Sequence, residues 1–222
     1  MKDLSAQLAQ NNVFRELSCQ DRQSLAAAGV RRRFDPGQYL CHQGELWPKV
    51  IFVLSGRLRW AMLAISGKEH ILFTVEHGQA FWGHSLFDDQ PMPASLMAAL
   101  ASQVYLWPRE VILPILFRNP KALWELTKMQ VDTMRKAREI IYGLAFKPVA
   151  GRLAKFLLDR SRENELIQRD LTLSEIASMV ASSQEVVCRL LYQFQEDGIL
   201  EVSRASITLQ DRKALEMLIQ SE

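Results

Sequence analysis

The chain has 222 residues, 27 Lys and Arg against 25 Asp and Glu for a formal net charge of +2, and 48% hydrophobic residues. This composition predicts a soluble globular protein of one large domain or two modest ones, and no apolar run approaches the roughly 18 residues of a membrane span. The near balance of charge, with 10 Lys and Arg against 12 Asp and Glu from Lys147 onward, argues against an indiscriminate nucleic-acid binder, whose affinity rests on neutralising phosphates. Cys19, Cys41 and Cys188 are odd in number and far apart, with no C-x-x-C for zinc or an iron–sulfur cluster. Met1-Lys2-Asp3-Leu4-Ser5 lacks the apolar core of a signal peptide, so the expected compartment is the cytoplasm with thiols reduced.

Residues 12–28 (NVFRELSCQDRQSLAAA) read as one or two short helices capped by Ser18. From Val30 to Pro108 the pattern changes to short β-prone runs separated by turn signals: Val30–Phe34, Tyr39–His42, Val50–Leu54, Leu58–Ile65, His70–Val75 and a final run from Leu96 to Trp107. Strands at such regular spacing predict a barrel or jelly roll. Trp60, Phe73, Phe81, Trp82, Phe87 and Trp107 are assigned to its core and pocket wall.

Asn119-Pro120 is a helix start, Asn as cap and Pro at the first helical position. No breaker follows until about Ala145. Leu123, Thr127, Gln130, Met134, Ala137, Ile141 and Leu144 alternate by four and three, as in a coiled-coil seam, while Leu126, Met129, Thr133 and Ile140 form an adjacent stripe. Two stripes imply two partners, the barrel and the same helix of a second subunit, which makes a homodimer; the bland alternative is a one-sided surface helix. The break at Phe146-Lys147-Pro148 sets a boundary. The predicted division is a barrel over 1–118, a dimerisation helix over 119–146 and a third part over 147–222, opening with an amphipathic helix carried by Val149, Leu153, Phe156 and Leu157.

Leu171–Leu200 reads as two short helices, a tight turn and a strand start. Thr172 and Glu175 have capping-box spacing. Ile176, Met179 and Val180 make one apolar face, and either Ser182 or Ser183 can cap the second helix. Val186, Val187, Leu190, Leu191 and Phe194 form the buried side of that helix, with Gln184, Glu185, Cys188, Arg189 and Gln193 mostly opposite. Gly198 supplies a left-handed end. Such a hairpin is either a helix-turn-helix whose second helix enters the major groove or an ordinary helical pair with a solvated face. Ile199–Val202 and Ser206–Leu209 look like a two-stranded wing around Ser203-Arg204-Ala205, and Asp211 caps a last helix from Ala214 to Ile219.

This order of elements resembles the CRP/FNR family of bacterial transcription regulators over nearly the whole chain. The residues that carry the resemblance are Gly37 and Gly44, Ile51–Arg59 (IFVLSGRLR), Gly67 and Gly78, Phe81 to Leu86, Asn119-Pro120, Gly151-Arg152-Leu153, and above all Glu175-Ile176-Ala177 with Ser183 to Arg189. It implies an α+β fold, with an N-terminal double-stranded β-helix (jelly-roll) barrel, a long dimerisation helix and a C-terminal winged helix-turn-helix. It implies a homodimer reading palindromic double-stranded DNA, with RNA polymerase and a small-molecule effector as further partners, and no enzyme. Glu185 and Arg189 match the family's E-x-x-x-R pattern. Arg can donate to guanine O6 and N7 and a carboxylate can accept from cytosine N4, so a TGA-like half-site core is expected, and the two side chains at i, i+4 can steady each other. Gln184 stands where the cAMP receptor protein has an arginine, which predicts an altered preference at the adjoining base pair. Ser182, Ser183 and Arg204 are expected on phosphates, which position without specifying. Ala181 stands where a glycine is frequent.

By the same resemblance, residues 78–98 occupy the place of a phosphate-binding cassette. The expected effector pocket is Phe73, Trp82, Gly83, His84, Met92, Met97, Met134, Ala137 and Arg138, with Phe87 near its wall. His84 stands at the ribose-binding glutamate and Met92-Pro93 at the Arg-Ser pair, so the bidentate contact to a cyclic phosphate is lost and cAMP is not the expected effector. Ala137-Arg138 also replaces hydroxyl residues. The N-terminal cysteine cluster of oxygen sensors is missing. His84 lies close to the haem histidine of a CO-sensing member, which makes haem an alternative cofactor; otherwise it is a loop histidine. A ligand-independent or thiol-controlled regulator, with Cys188 on the reading helix, is a further alternative. A cupin-type metal enzyme is the least favoured, since His42, His70 and His77 lack the H-x-H…E…H arrangement.

Overall fold

A computed structural model describes residues 4–161, 165–168 and 170–220; Met1–Asp3 of the start considered above lie outside them. The chain divides into two compact units, Met1–Lys68 with Leu72–Arg135 and Glu69–Ile71 with Lys136–Glu222.

The first unit opens with α1 (Leu4–Leu8), a 3-10 turn at Phe14–Glu16 and α2 (Cys19–Ala28). Ser18 caps α2, its Oγ accepting from the Asp21 N–H at 3.0 Å. Eight strands follow: β1 (Val30–Phe34), β2 (Tyr39–Cys41), β3 (Lys49–Ser55), β4 (Arg57–Leu63), β5 (Glu69–Glu76, which belongs to this unit from Leu72 onward), β6 (Ala80–Trp82), β7 (Ser95–Ala98) and β8 (Ser102–Pro108). They form two four-stranded sheets in the orders β1-β8-β3-β6 and β2-β7-β4-β5. The run expected from Leu96 to Trp107 is two strands, because the chain turns at Ala99–Ala101 to pass from one sheet to the other.

β3 lies in the middle of its sheet and is buried on both faces, which explains its unbroken apolar sequence Val50-Ile51-Phe52-Val53-Leu54. Strand alternation sorts its residues into two cores. Ile51 and Val53 face the space between the sheets with Leu58, Trp60, Phe81, Met92, Leu96 and Val104. Val50 and Phe52 face outward, where Leu8, Phe14, Leu25, Trp82, Trp107, Ile112 and Leu116 cover the sheet. The helix under that outer core, α4 (Arg109–Phe117), was not expected from sequence, since Pro114 sits inside it.

The long helix α5 spans Pro120–Phe146. Asn119 does not cap it with its side chain as expected. Its Oδ1 accepts from the Ser18 N–H and its Nδ2 donates to Asp21 and to the Ile115 carbonyl. Together with the Arg118–Asp21 ion pair, this ties α2 to the α4–α5 junction.

In the second unit, α6 (Val149–Ser161) packs on α9 (Arg212–Gln220), so closely at Gly151 that a Cβ there would lie 2.9 Å from the Leu218 carbonyl oxygen. Between them come α7 (Leu173–Met179), α8 (Gln184–Glu196) and a three-stranded sheet in the order β10-β11-β9, formed by β9 (Leu166–Gln168), β10 (Leu200–Val202) and β11 (Ser206–Leu209). The wing thus has a third strand that three residues of sequence did not announce. Leu153, Leu157, Ile176, Val187, Leu191, Phe194, Leu200, Ile207 and Leu215 make the core of this unit. Asp211 caps α9 as expected, its Oδ1 accepting from Ala214 at 3.0 Å.

Candidate nucleic-acid interface and effector region

The α7–turn–α8 segment is built by local rules. Thr172 Oγ1 accepts from the Glu175 N–H at 3.1 Å and the Glu175 carboxylate accepts from the Thr172 N–H at 2.8 Å, a complete capping box. α7 ends in a Schellman-type turn in which the Ser182 N–H donates to the Ala177 carbonyl at 2.9 Å. Ala181 takes the left-handed position of that turn, at φ 51°. Of the two candidate caps it is Ser183 that serves α8, its Oγ accepting from Val186 at 3.3 Å. At the far end Gly198 adopts φ 70° and the Ile199 N–H reaches back to the Phe194 carbonyl.

Val187, Leu191 and Phe194 bury one side of α8. Gln184, Glu185, Arg189, Tyr192, Gln193 and Glu196 are exposed on the other, with Cys188 half-buried among them. Among the described residues no hydrogen bond or ion pair joins Glu185 to Arg189, so both polar ends are open to solvent. Tyr192, 64% exposed, was not singled out from sequence; its place one turn beyond Arg189 was the available signal. Cys188 and Tyr192 also line a cleft of about 270 Å³ with Gln195, Val202, Ser203 and Arg204. Arg204 is exposed at the tip of the wing turn, which the Ser203 hydroxyl holds by accepting from the Ala205 and Ser206 N–H groups. Ser182 is half-buried and Ser183 exposed at the start of α8.

Residues assigned to the effector pocket part company. β6 sends Phe81 inward, where its ring lies 4.9 Å from Trp60 and 6.4 Å from Phe73, and sends Trp82 outward. Trp82 packs on Phe14 at 5.5 Å, beneath the N-terminal helices, so its assignment as a wall of the barrel interior is corrected by strand period. Met97 is corrected for the same reason. It pairs with Arg59 across β7 and β4, on the face opposite Leu58, Trp60, Leu96 and Ala98, and its sulfur accepts from the Arg59 guanidinium at 3.9 Å. Met92 is buried in the interior and Phe73 packs against it. Phe87 is 43% exposed and so is no pocket wall.

Gly83 follows β6 where a Cβ would lie 2.7 Å from the Trp47 carbonyl oxygen. His84 begins the short α3 (Ser85–Asp88), its ring stacked on Trp60 at 5.7 Å and 9°. His84 is exposed on one side, and the desolvation of the rest of its ring lowers its pKa, against a raising influence of Asp88.

On α5, Leu126 is buried and Leu123 and Met129 pack against the outer core of the barrel. Leu123, expected in the seam, therefore turns toward the barrel of its own chain. Thr127, Met134, Ala137, Arg138, Ile141 and Leu144 are exposed and Gln130 is half-buried. Met134 and Ile141 are 71% and 66% exposed. No helix among the described residues is long and apolar enough to cross a membrane.

Comparison with known proteins fits this geometry. The family model for a cyclic nucleotide-binding domain matches residues 31–119, and that for a Crp-like helix-turn-helix domain matches residues 151–218. The cyclic AMP receptor protein of Thermus thermophilus is 26% identical over 193 residues, covering 86% of this chain and 89% of that protein. Among solved structures, a CooA mutant from Carboxydothermus hydrogenoformans aligns with a TM-score of 0.77 at 25% identity, covering 87% of this chain and 88% of that one. FixK2 from Bradyrhizobium japonicum aligns with a TM-score of 0.76 at 22% identity over 87% of this chain and 98% of its own. With a nucleotide-binding-type barrel ahead of a Crp-like helix-turn-helix, the chain belongs to the CRP/FNR family of bacterial DNA-binding transcription regulators.

Proposed function

We propose that this protein is a homodimeric transcription regulator, gated by an effector in the barrel, that reads a palindromic site with a TGA-like half-site core. The observation that carries the reading is the exposed polar face of α8, where Gln184, Glu185 and Arg189 stand together near a capped N-terminus. The N-terminal residues of such a helix meet base edges in the major groove. Arg189 donates to guanine, Glu185 accepts from cytosine, and Gln184 prefers adenine at the adjoining pair. Ser182, Ser183 and Arg204 hold phosphates. The barrel to residue 118 senses, the helix over 119–146 pairs two subunits through its exposed apolar stripe, and residues 147–222 read DNA. The pivot at Phe146–Pro148 lets a change in the paired helices reorient the reading heads, which an effector drives only through different affinity for the two states. Selection from a random DNA pool tests the reading: inverted repeats with TGA-like cores support it, and sites without a dyad or without that core refute it.

cAMP is not the effector in this reading. Residues 78–98 contain no Lys or Arg, and Met92, at the place of the phosphate-binding arginine, is packed in the barrel core. His84, stacked on Trp60 with its pKa lowered by desolvation, favours haem as a second reading, since a neutral imidazole nitrogen would serve as an iron ligand. Mixing the protein with hemin decides it: a Soret shift that His84→Ala removes supports a haem site, and the absence of any shift ends the idea. The proposed setting is the bacterial cytoplasm, with RNA polymerase as the partner of the DNA-bound dimer.

A further inference from the structure

The pivot and the reading turn are joined by one side chain. Arg152, in the first turn of α6, donates from Nη1 to the Lys147 carbonyl at 2.8 Å, from Nε to the Val180 carbonyl at 2.9 Å and from Nη2 to the Ala181 carbonyl at 3.3 Å. Lys147 is the first residue beyond α5. Val180 and Ala181 are the end of α7 and the left-handed residue of the helix-turn-helix turn. The guanidinium thus spans two helix C-termini, where unpaired carbonyls concentrate negative potential.

Gly143, in the last turns of α5, lies beside the Arg152 stem, where a Cβ would meet Arg152 Cδ at 3.7 Å in ordinary van der Waals contact. The side chain is half-buried and its desolvation lowers the Arg152 pKa. The turn it grips is one that sequence alone disfavours, because Ala181 carries a Cβ in a left-handed conformation. Only a planar fork with several fixed donors can hold three carbonyls on two elements at once; an ammonium is a single point and cannot span them.

We propose that Arg152 is a positioning residue for DNA reading, the strut that makes the pivot after α5 and the turn before α8 move as one body. The proposal rests on the reading of Phe146–Pro148 as the pivot of a dimer. Its consequence is geometric. In a dimer the distance between two recognition helices is fixed only if each head is rigidly tied to its pivot, and that distance sets the half-site spacing. Loosening the strut therefore relaxes spacing without changing which bases each head reads.

The test uses the full-length protein and duplexes carrying the selected half-sites at the optimal spacing and at spacings changed by 2 bp. Wild-type affinity is expected to fall on the order of 100-fold off the optimum, since a two-headed reader cannot bridge misplaced half-sites without strain. Arg152→Lys, which keeps the charge and the stem, is expected to reduce that penalty to about 10-fold or less while leaving the preference for each half-site base intact. Gly143→Val, whose branched γ-carbons extend beyond a Cβ already in contact with the Arg152 stem and leave its charge in place, is expected to act the same way and serves if the Arg152 variant folds poorly. An unchanged spacing penalty in both variants overturns the strut. So does a parallel loss of base preference, spacing preference and thermal stability, which marks Arg152 as a fold residue only. A wild-type protein indifferent to spacing removes the dimeric reading itself, and the strut with it.

Discussion

Asp21 illustrates how much a single buried carboxylate can hold. Hydrogen bonds from Arg118 and then Asn119 bring its pKa from 3.8 to about 2 against the opposing cost of burial, with Ser18 adding to the effect. A carboxylate with a depressed folded-state pKa contributes stability that is present above its unfolded value and is lost as pH falls through the folded one. The protein is therefore expected to lose stability between about pH 4 and pH 2, and Asp21→Asn should flatten that acid limb and lower neutral-pH stability by about 2 kcal/mol, read by urea unfolding across pH. Ala181 makes the opposite prediction. Its φ of 51° suits glycine, so Ala181→Gly should raise stability by roughly 0.5–1 kcal/mol, the left-handed penalty less the added unfolded-state freedom; a loss on thermal unfolding would contradict the turn described. The thiols differ in the same physical way. Cys41 is buried and its pKa is pushed up to about 11, while Cys19 is exposed. Alkylation near pH 8 should label Cys19 in the native protein and Cys41 only after unfolding, as peptide mass spectrometry will show.

At the scale of elements, the stretches with local rules were legible. The capping box of Thr172 and Glu175, the Gly198 end of α8, the Asp211 cap and the start of α5 near Pro120 all stand where the sequence places them. What sequence could not show was decided by partners distant along the chain. Three residues of β9 become a strand only because β11 lies beside them. α4 forms around Pro114 because Ile112, Ile115 and Leu116 are buried under the outer sheet face. Trp82 and Met97 were misassigned because hydrophobicity marks burial without saying which face of its strand a residue takes. On α5 the exposed apolar residues invite a direct check. Met134→Asp with Ile141→Asp places charges in the proposed seam, and sedimentation should then report a monomer, because unpaired charges in an apolar interface are costly. A dimer unchanged by the pair would move the interface elsewhere.

For the whole molecule, the family, the order of parts and the reading helix follow from sequence pattern and geometry together, whereas the signal does not. The barrel interior is filled by Trp60, Phe81 and Met92, with His84 stacked against it, and recognition there depends on shape as much as on residue type. The DNA-reading claim is sharper, because it assigns one chemical task to each of Gln184, Glu185 and Arg189. Its most direct test is a titration of the wild type and of Arg189→Ala against the selected duplex with each core base pair replaced in turn. Wild-type protein should lose about 1–3 kcal/mol at the guanine-bearing pair, and Arg189→Ala should be weaker on the intact site yet nearly indifferent to that one substitution while still discriminating at the others. Weakening by Arg189→Ala that is uniform across all sequences would instead place Arg189 on a phosphate and contradict the account.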